Sequence, residues 1–523
     1  MSDLESNPTP EPGAAPKAGP SNAVLAAVFV VILVILGGGG WLVYDKVIKS
    51  DSSSTALPAT VLPASTIAVA TVDANPSLSQ KVNLLNFIGK FPSLKSNVKI
   101  GVKDDPREWV VNEMMKSAHC SSMDFTRDFA PWLGEHFALA AVDVGTTDPA
   151  PVAALETTNG AAATAALDKV VTCSGSKDFV FKVVGRYVVG SDTQAHLRTI
   201  VNASTSSPLS ADASYRKWMG AVGDPGLVNF YVAPRALTML FDSFGAVPAC
   251  ERDVLHKALG QFSGIAGKLV ANSDGLELIA RVGVKSAIKP AGDLAHDVAQ
   301  LPSDTALVLG IAPGTSVAPF TPRAMPSGCR GVAGMPSTAQ MMEMIQQRTG
   351  LTIPGDLQTL LGKAFVMTLG GNAPANITEI HGPAEVPLGV EVQGDTGKIQ
   401  AVLAKVQARL GVSLEQMGLV EKVSNGRVIL ATNSSYANAI STPGGLGSDP
   451  AFKAAVPEAS KAQMVMFVRI DSAWRTAILN MLHQSGDSSG GSAAANTAGL
   501  SALGIAGWVD NGAVVVDVKL TTK

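Results

Sequence analysis

The string HQSGDSSGGSAAAN, residues 483–496, holds the densest reactive chemistry in the chain: His483 lies close to Asp487, Ser488 and Ser489 among glycines. A glycine-flanked serine with a histidine base is the apparatus of acyl transfer, with Ser488 or Ser489 as nucleophile. That chemistry also needs an orienting acid, oxyanion donors and a geometry that a neighbouring histidine on the same segment does not supply. The Gly, Ser and Ala content fits a flexible connector, and that is the reading adopted. No catalytic residue is assigned, and the chain is not expected to be an enzyme.

Other reactive groupings are scarce. The histidines (His119, His136, His196, His256, His296, His381 and His483) form no HxxH, HExxH or Cys/His cluster, so no metal site is local in sequence. No GxxxxGK[ST] occurs, no GxGxxG follows a strand, and no cofactor is expected. Asp104 and Asp105 are adjacent carboxylates, but Asp105-Pro106-Arg107-Glu108 reads better as a helix cap with Pro at N1. Met341, Met342 and Met344 would suit a lipid or partner groove; their helical spacing suggests core packing instead. With 40 basic and 43 acidic residues the net charge is −3, which lacks the basic face that nucleic acid requires.

Some residues occur twice. Asp128 and Asp356 each precede a Leu-Gly step ending at Gly134 and Gly362, and Gly-Arg pairs end at Arg186 and Arg427. Glycine suits a sharp backbone bend and aspartate a helix end whose N–H groups need an acceptor. These are therefore structural positions, with a paired functional site at the two arginines as the alternative.

The elements around them recur in the same order. LPASTIAVATVD (62–73) is answered by LPSDTALVLGIA (301–312), and Pro76-Ser77 to Gln80 by Pro336-Ser337 to Gln340, each reading as a capping box. PVAALETTNGAAATAALDKV (151–170) is answered by PLGVEVQGDTGKIQAVLAKV (387–406), each a strand followed by an amphipathic helix. LVNFYVAPRALTML matches MVMFVRIDSAWRTAI. Closing hairpins follow Asp274-Gly275 and Asn511-Gly512, where a type I′ turn is expected. Most offsets fall between 236 and 241, with insertions around 93–124 and 313–335. The expected fold is α+β: two tandem copies, 62–290 and 291–523, of one unit with antiparallel-rich sheets covered by helices.

Ahead of them, residues 1–22 have the composition of a disordered tail. Ala23–Tyr44 then runs without a charge, long enough at ~1.5 Å per residue to cross a bilayer as a helix. Trp41 and Tyr44 suit its far interface, and an acid-rich tail with only Lys17 argues for an uncleaved anchor over a signal peptide. A Ser-rich linker, 45–61, follows. The four cysteines, Cys120, Cys173, Cys250 and Cys329, contain no CxxC pair and suit an oxidising compartment, with free buried thiols the alternative. Of the three pairings they allow, the expected one joins Cys120 to Cys173 and Cys250 to Cys329. The bulk of the chain is placed outside the cell membrane.

The frame LPAST-I-A-V-x-x-VD, then PSxxQKxxxLxxFxxKFP (Pro76 to Pro92), then DxxPWLG (Asp128 to Gly134) resembles an uncharacterised bacterial family, common in actinobacteria, of single-pass membrane proteins (domain of unknown function 3352). The likeness covers roughly residues 56–523. It implies a cell-envelope body and brings no activity and no catalytic residues. The expected function is a non-enzymatic envelope module for binding or assembly, its partners the membrane through Ala23–Tyr44 and an envelope protein or lipid, with no nucleic acid. The alternatives are a lipid or glycolipid carrier with an apolar cavity, and a hydrolase assembled from distant residues.

Overall fold

A computed structural model describes residues 58–97, 104–120, 122–146, 148–175, 179–236, 238–239, 262–284, 293–312, 338–353, 355–374, 377, 380–484 and 494–523. The tail, the apolar run Ala23–Tyr44 and most of the linker lie outside them. Among the described residues no helix is long and apolar enough to cross a membrane.

The alternating Val, Ala and Thr of Thr66–Asp73 form the first strand, β1, with β2 (Leu133–Val142) and β3 (Ala150–Thr157) following along the chain. Next come β4 (Val180–Val184), β5 (Tyr187–Ser191), β6 (Val228–Val232), β7 (Phe262–Asn272) and β8 (Gly275–Val284). The second half supplies β9 (Leu307–Ile311), β10 (Ala364–Leu369), β11 (Leu388–Gln393), β12 (Val420–Ser424) and β13 (Arg427–Ala431). It closes with β14 (Met464–Arg469), β15 (Leu500–Asp510) and β16 (Ala513–Thr522).

All sixteen lie in one sheet, ordered β12-β13-β11-β10-β9-β14-β15-β16-β8-β7-β6-β1-β2-β3-β5-β4, with every neighbouring pair antiparallel. Counted outward from the β8–β16 contact, the strands of the two halves come in the same order. The fold is α+β, as the strand-rich hairpin pattern suggests. A sheet for each half was expected; instead β8 and β16 pair along their length and make one sheet of both.

Helices pack on both faces. Val188 and Val189 are neighbours on β5 and therefore point to opposite sides. Val188 is buried with Trp132, Ala163 and Leu167 beneath the helix Gly160–Ser174. Val189 is buried with Leu197, Ile200 and Trp218 beneath the helices Gln194–Ser206 and Ala213–Val222. On β13, Val428 joins Ile399 of the helix Thr396–Leu410, while Ile429 joins Leu294, Tyr436 and Phe452 of the other layer. Small side chains let these layers close on the sheet. Trp218 lies over Gly264 and Gly283, where an added Cβ would come within 2.7 and 2.0 Å of its ring.

The two LP motifs fold alike. Thr66 and Thr305 each give both backbone N–H and hydroxyl to the carbonyl of the proline three residues earlier, Pro63 and Pro302, with both hydroxyls at 2.7 Å. Leu62 and Leu301 are fully buried, and their carbonyls accept from the N–H groups of Leu209 and Leu446. Asp212 and Asp449 cap the helices that follow, accepting from the N–H groups of Tyr215 and Phe452. Those two rings stack edge-on against Tyr231 and Phe467, with centroids 5.2 Å apart in each case.

Three local expectations need correction. Ser77 caps its helix by accepting from the Gln80 N–H at 3.5 Å, but the Gln80 side-chain oxygen is buried without a partner, so the reciprocal half of the box does not form. Ser337 lies outside the described residues. In the β7–β8 hairpin Asn272 pairs with Gly275, so the loop is Ser273-Asp274 and not Asp274-Gly275. Gly275 is needed for another reason: a Cβ there would sit 2.0 Å from the Leu520 carbonyl oxygen of β16. The β15–β16 hairpin does turn at Asn511-Gly512, both with the positive φ of a type I′ turn. Finally, Met344 is 42% exposed on a helix that packs against Thr396–Leu410, so it is not a core residue.

Candidate functional site

Asp128 lies in the short turn Phe125–Phe129, which the capping carboxylate of Asp124 opens. Its Oδ2 accepts from the Asp124 N–H at 3.0 Å and from Arg127 at 2.6 Å, and its Oδ1 from Lys169 Nζ at 2.9 Å. These bonds, that to Arg127 foremost, outweigh the cost of burial and hold the carboxyl far below the usual range. Asp356 repeats the device: it accepts from the Thr352 N–H four residues back and from Lys405 Nζ at 2.6 Å. Lys169 and Lys405 sit on the helices Gly160–Ser174 and Thr396–Leu410. Each carboxylate thus accepts a backbone N–H as expected, and in addition ties its own turn to the next helix. The sequence carried the signal, since both helices contain a Lys-Val step in register.

Gly134 and Gly362 are points of close approach. A Cβ on Gly134 would meet Glu156 Cγ at 2.6 Å; one on Gly362 would meet the Gln393 carbonyl oxygen at 2.3 Å. Gly362 also has φ +59°, a conformation glycine adopts freely.

The two arginines do not occupy matching places. In the β4–β5 hairpin the turn is Gly185-Arg186; in β12–β13 it is Asn425-Gly426. Arg427 is the first residue of β13 and takes the position that Tyr187 takes in β5. The Gly-Arg letters therefore align one residue away from the hairpins.

Their surroundings differ accordingly. Arg186 is exposed and reaches Glu156 Oε1 at 2.7 Å. Glu156 Oε2 accepts from His136 Nδ1 at 2.6 Å and from the N–H groups of Glu135 and His136 at 3.2 Å each. Burial opposes the Glu156 charge, but His136 and these N–H donors outweigh it and take the carboxyl down to about 2. Burial likewise opposes the His136 charge, and Glu156 overcomes it, raising the imidazole. The pair clamps β2 to β3. No sequence pattern joined the two, because their contact depends on the β2–β3 register.

Arg427 is buried. Its Nη1 lies 2.8 Å from Glu391 Oε1 and 3.9 Å from Asp297 Oδ1. Glu391 is on β11, directly opposite Ile429, and Asp297 is on the helix Leu294–Ala299. The sequence reading missed both acids.

Cys120 and Cys173 are joined, with Cα atoms 5.5 Å apart, and tie the segment after the helix Pro106–Ser117 to the end of Gly160–Ser174. His119 beside them has φ 58°. Asp105 caps its helix, accepting from the Arg107 N–H at 2.9 Å. Cys250, Cys329, Ser488 and Ser489 lie outside the described residues. Among the described residues, no three His, Cys, Asp or Glu side chains group to hold a metal ion.

Residues 24–313 match a family model described as Protein of unknown function (DUF3352). The chain belongs to that family. The match starts within the apolar run and ends just past β9, so it is shorter than the span of 56–523 expected and takes in the first half and the opening helix and strand of the second. No curated protein and no solved structure matches the chain.

Proposed function

We propose that this family member is a non-enzymatic envelope module, anchored by Ala23–Tyr44 with its body outside the cell, and that it binds or assembles with a partner. One observation carries the reading. The residues that recur between the halves meet structural needs: Asp128 and Asp356 tie helices, Gly134 and Gly362 allow close approach, and Thr66 and Thr305 close turns.

The sheet offers a broad platform. At ~4.8 Å per strand it is on the order of 70 Å across, and both its edges, β4 and β12, are short strands. We infer that it arose by tandem duplication of one unit, since strand order, LP turns, aspartate caps and edge-on ring pairs all recur. Residues 45–57, between anchor and body, would reach at most ~45 Å when fully extended, which keeps the platform near the bilayer.

Native mass spectrometry of the full-length protein purified from the host membrane tests the reading. A protein partner retained in the gas phase supports it; a bound lipid in its place would favour the carrier. Labelling of Ser488 or Ser489 by a fluorophosphonate probe would overturn the non-enzymatic assignment.

A further inference from the structure

We propose that Asp297 and Glu391 together hold one proton beside Arg427, and that this proton latches the helix Leu294–Ala299 onto β11 and β13. The charges do not balance without it: two carboxyl groups face one guanidinium. Asp297 is 3% exposed and Glu391 1%, and each keeps one oxygen, Oδ2 and Oε2, buried without a partner. Two ionised acids here would leave an uncompensated charge in a core of Leu294, Val298, Val366 and Ile429. A single proton cancels the excess, leaving one carboxylate for Arg427.

Among the described residues, the nearby cations other than Arg427 are engaged elsewhere, apart from His296 next to Asp297 on the same helix. On the helix itself Asp293 caps the His296 N–H, and His296 stands beside Asp297. From β10 come Val366 and Thr368, the latter bonded to the Tyr436 hydroxyl at 2.9 Å. From β12, Lys422 turns to Asn438 and Ser441 of the helix Ser434–Ser441. From the segments below the helix, Asp449 pairs with Arg469, and Lys461 with Glu458. Burial accordingly raises both acids, Glu391 to about 7.

The helix depends on this contact. Leu294, Asp297 and Val298 form its buried row, and Asp297 is the polar member of it. The first half has no counterpart, since Tyr187 and Ala154 take the hairpin positions of Arg427 and Glu391. The latch is thus a property of the second half, released as pH rises through neutrality.

Hydrogen exchange on the full-length protein at about pH 5.5 and 8.5, corrected for intrinsic rates, reads the latch directly. Amides of Val298, Ala299 and Gln300 should lose about tenfold or more of their protection at the higher pH. Glu391→Gln should abolish that loss, while Asp517→Asn should leave it in place. Protection that does not respond to pH in the wild type, or a full response in Glu391→Gln, overturns the proposal. If Glu391→Gln does not fold, carboxyl-carbon NMR of the wild type decides. A Glu391 or Asp297 carboxyl titrating near neutrality supports the latch; both titrating below about pH 5 overturn it.

Discussion

Ile279 and Asp517 face each other across the β8–β16 contact, and each is the fifth residue of its strand. Because the strands are antiparallel, the pairs on either side exchange roles: Arg281 faces Val515, and Glu277 faces Lys519. A two-fold axis through the Ile279–Asp517 pair therefore carries β8 onto β16 and continues the sheet from one half into the other. One member of that pair is a buried acid, so the centre of the sheet is also sensitive to charge.

Gly275 should be the least replaceable residue of this seam. Gly275→Ala drives a Cβ against the Leu520 carbonyl oxygen, whereas Gly512→Ala meets no atom within 4 Å and suffers only from its positive φ. Denaturant unfolding should show a loss of ~3 kcal/mol or more for the first and ~1 kcal/mol for the second. Equal losses would mean that β8 and β16 do not pair in this register.

The pH dependence of stability should peak in mildly acidic solution. Burial, with Glu277 adding to it, raises Asp517 to about 7, and burial raises Glu391 to about 7. Acids raised on folding add stability that is complete below their unfolded values near 4 and is lost as pH rises through 7. Glu156, lowered to about 2, adds stability that is complete above its unfolded value and is lost as pH falls through 2. Thermal melts should therefore fall from about pH 5 towards pH 8 and again below about pH 3. A melting temperature that rises steadily from pH 5 to 8 would contradict the buried acids.

Asp128 and Asp356 make the same kind of tie at different depths. The Asp128 side chain is 2% exposed and serves Arg127 and Lys169; that of Asp356 is 19% exposed and serves Lys405. Asp128→Ala leaves a buried gap and should cost ~3 kcal/mol, against ~1 kcal/mol for Asp356→Ala. Lys169→Met, which removes a mostly exposed partner, should cost under ~1 kcal/mol. Urea midpoints of the three variants rank them, and a larger loss for Asp356→Ala would refute the argument from burial.

Hairpins, LP turns and caps were legible in the sequence because each depends on residues within a few positions of one another. Asp105-Pro106 announces its helix by identity alone, and Asp105 caps it. The joining of two sheets into one was not legible, since β8 and β16 each set a few charged residues among aliphatic ones and nothing in that pattern selects a partner strand. The Gly-Arg repeat misled by one residue because hairpin position follows the turn, and Asn425-Gly426 supplies a turn that Gly185-Arg186 builds differently. The buried acids Glu391, Asp297 and Asp517 were invisible, because an acid on a strand or short helix reads as a solvent-facing residue until the covering layer is known.

The Cys120–Cys173 link closes a loop across 53 residues of sequence separation that includes β2 and β3. A loop of that length restricts the unfolded chain enough to contribute up to ~4 kcal/mol in the chain-entropy treatment. The bond also holds the segment after Pro106–Ser117 against the helix that carries Lys169, so its removal should weaken the Asp128–Lys169 tie as well. The Cys120→Ser, Cys173→Ser double variant should lose ~2–4 kcal/mol in denaturant unfolding, and less than the sum of separate effects when combined with Lys169→Met, because part of the tie is already gone. Strict additivity would separate the crosslink from the tie and assign its whole effect to the unfolded chain.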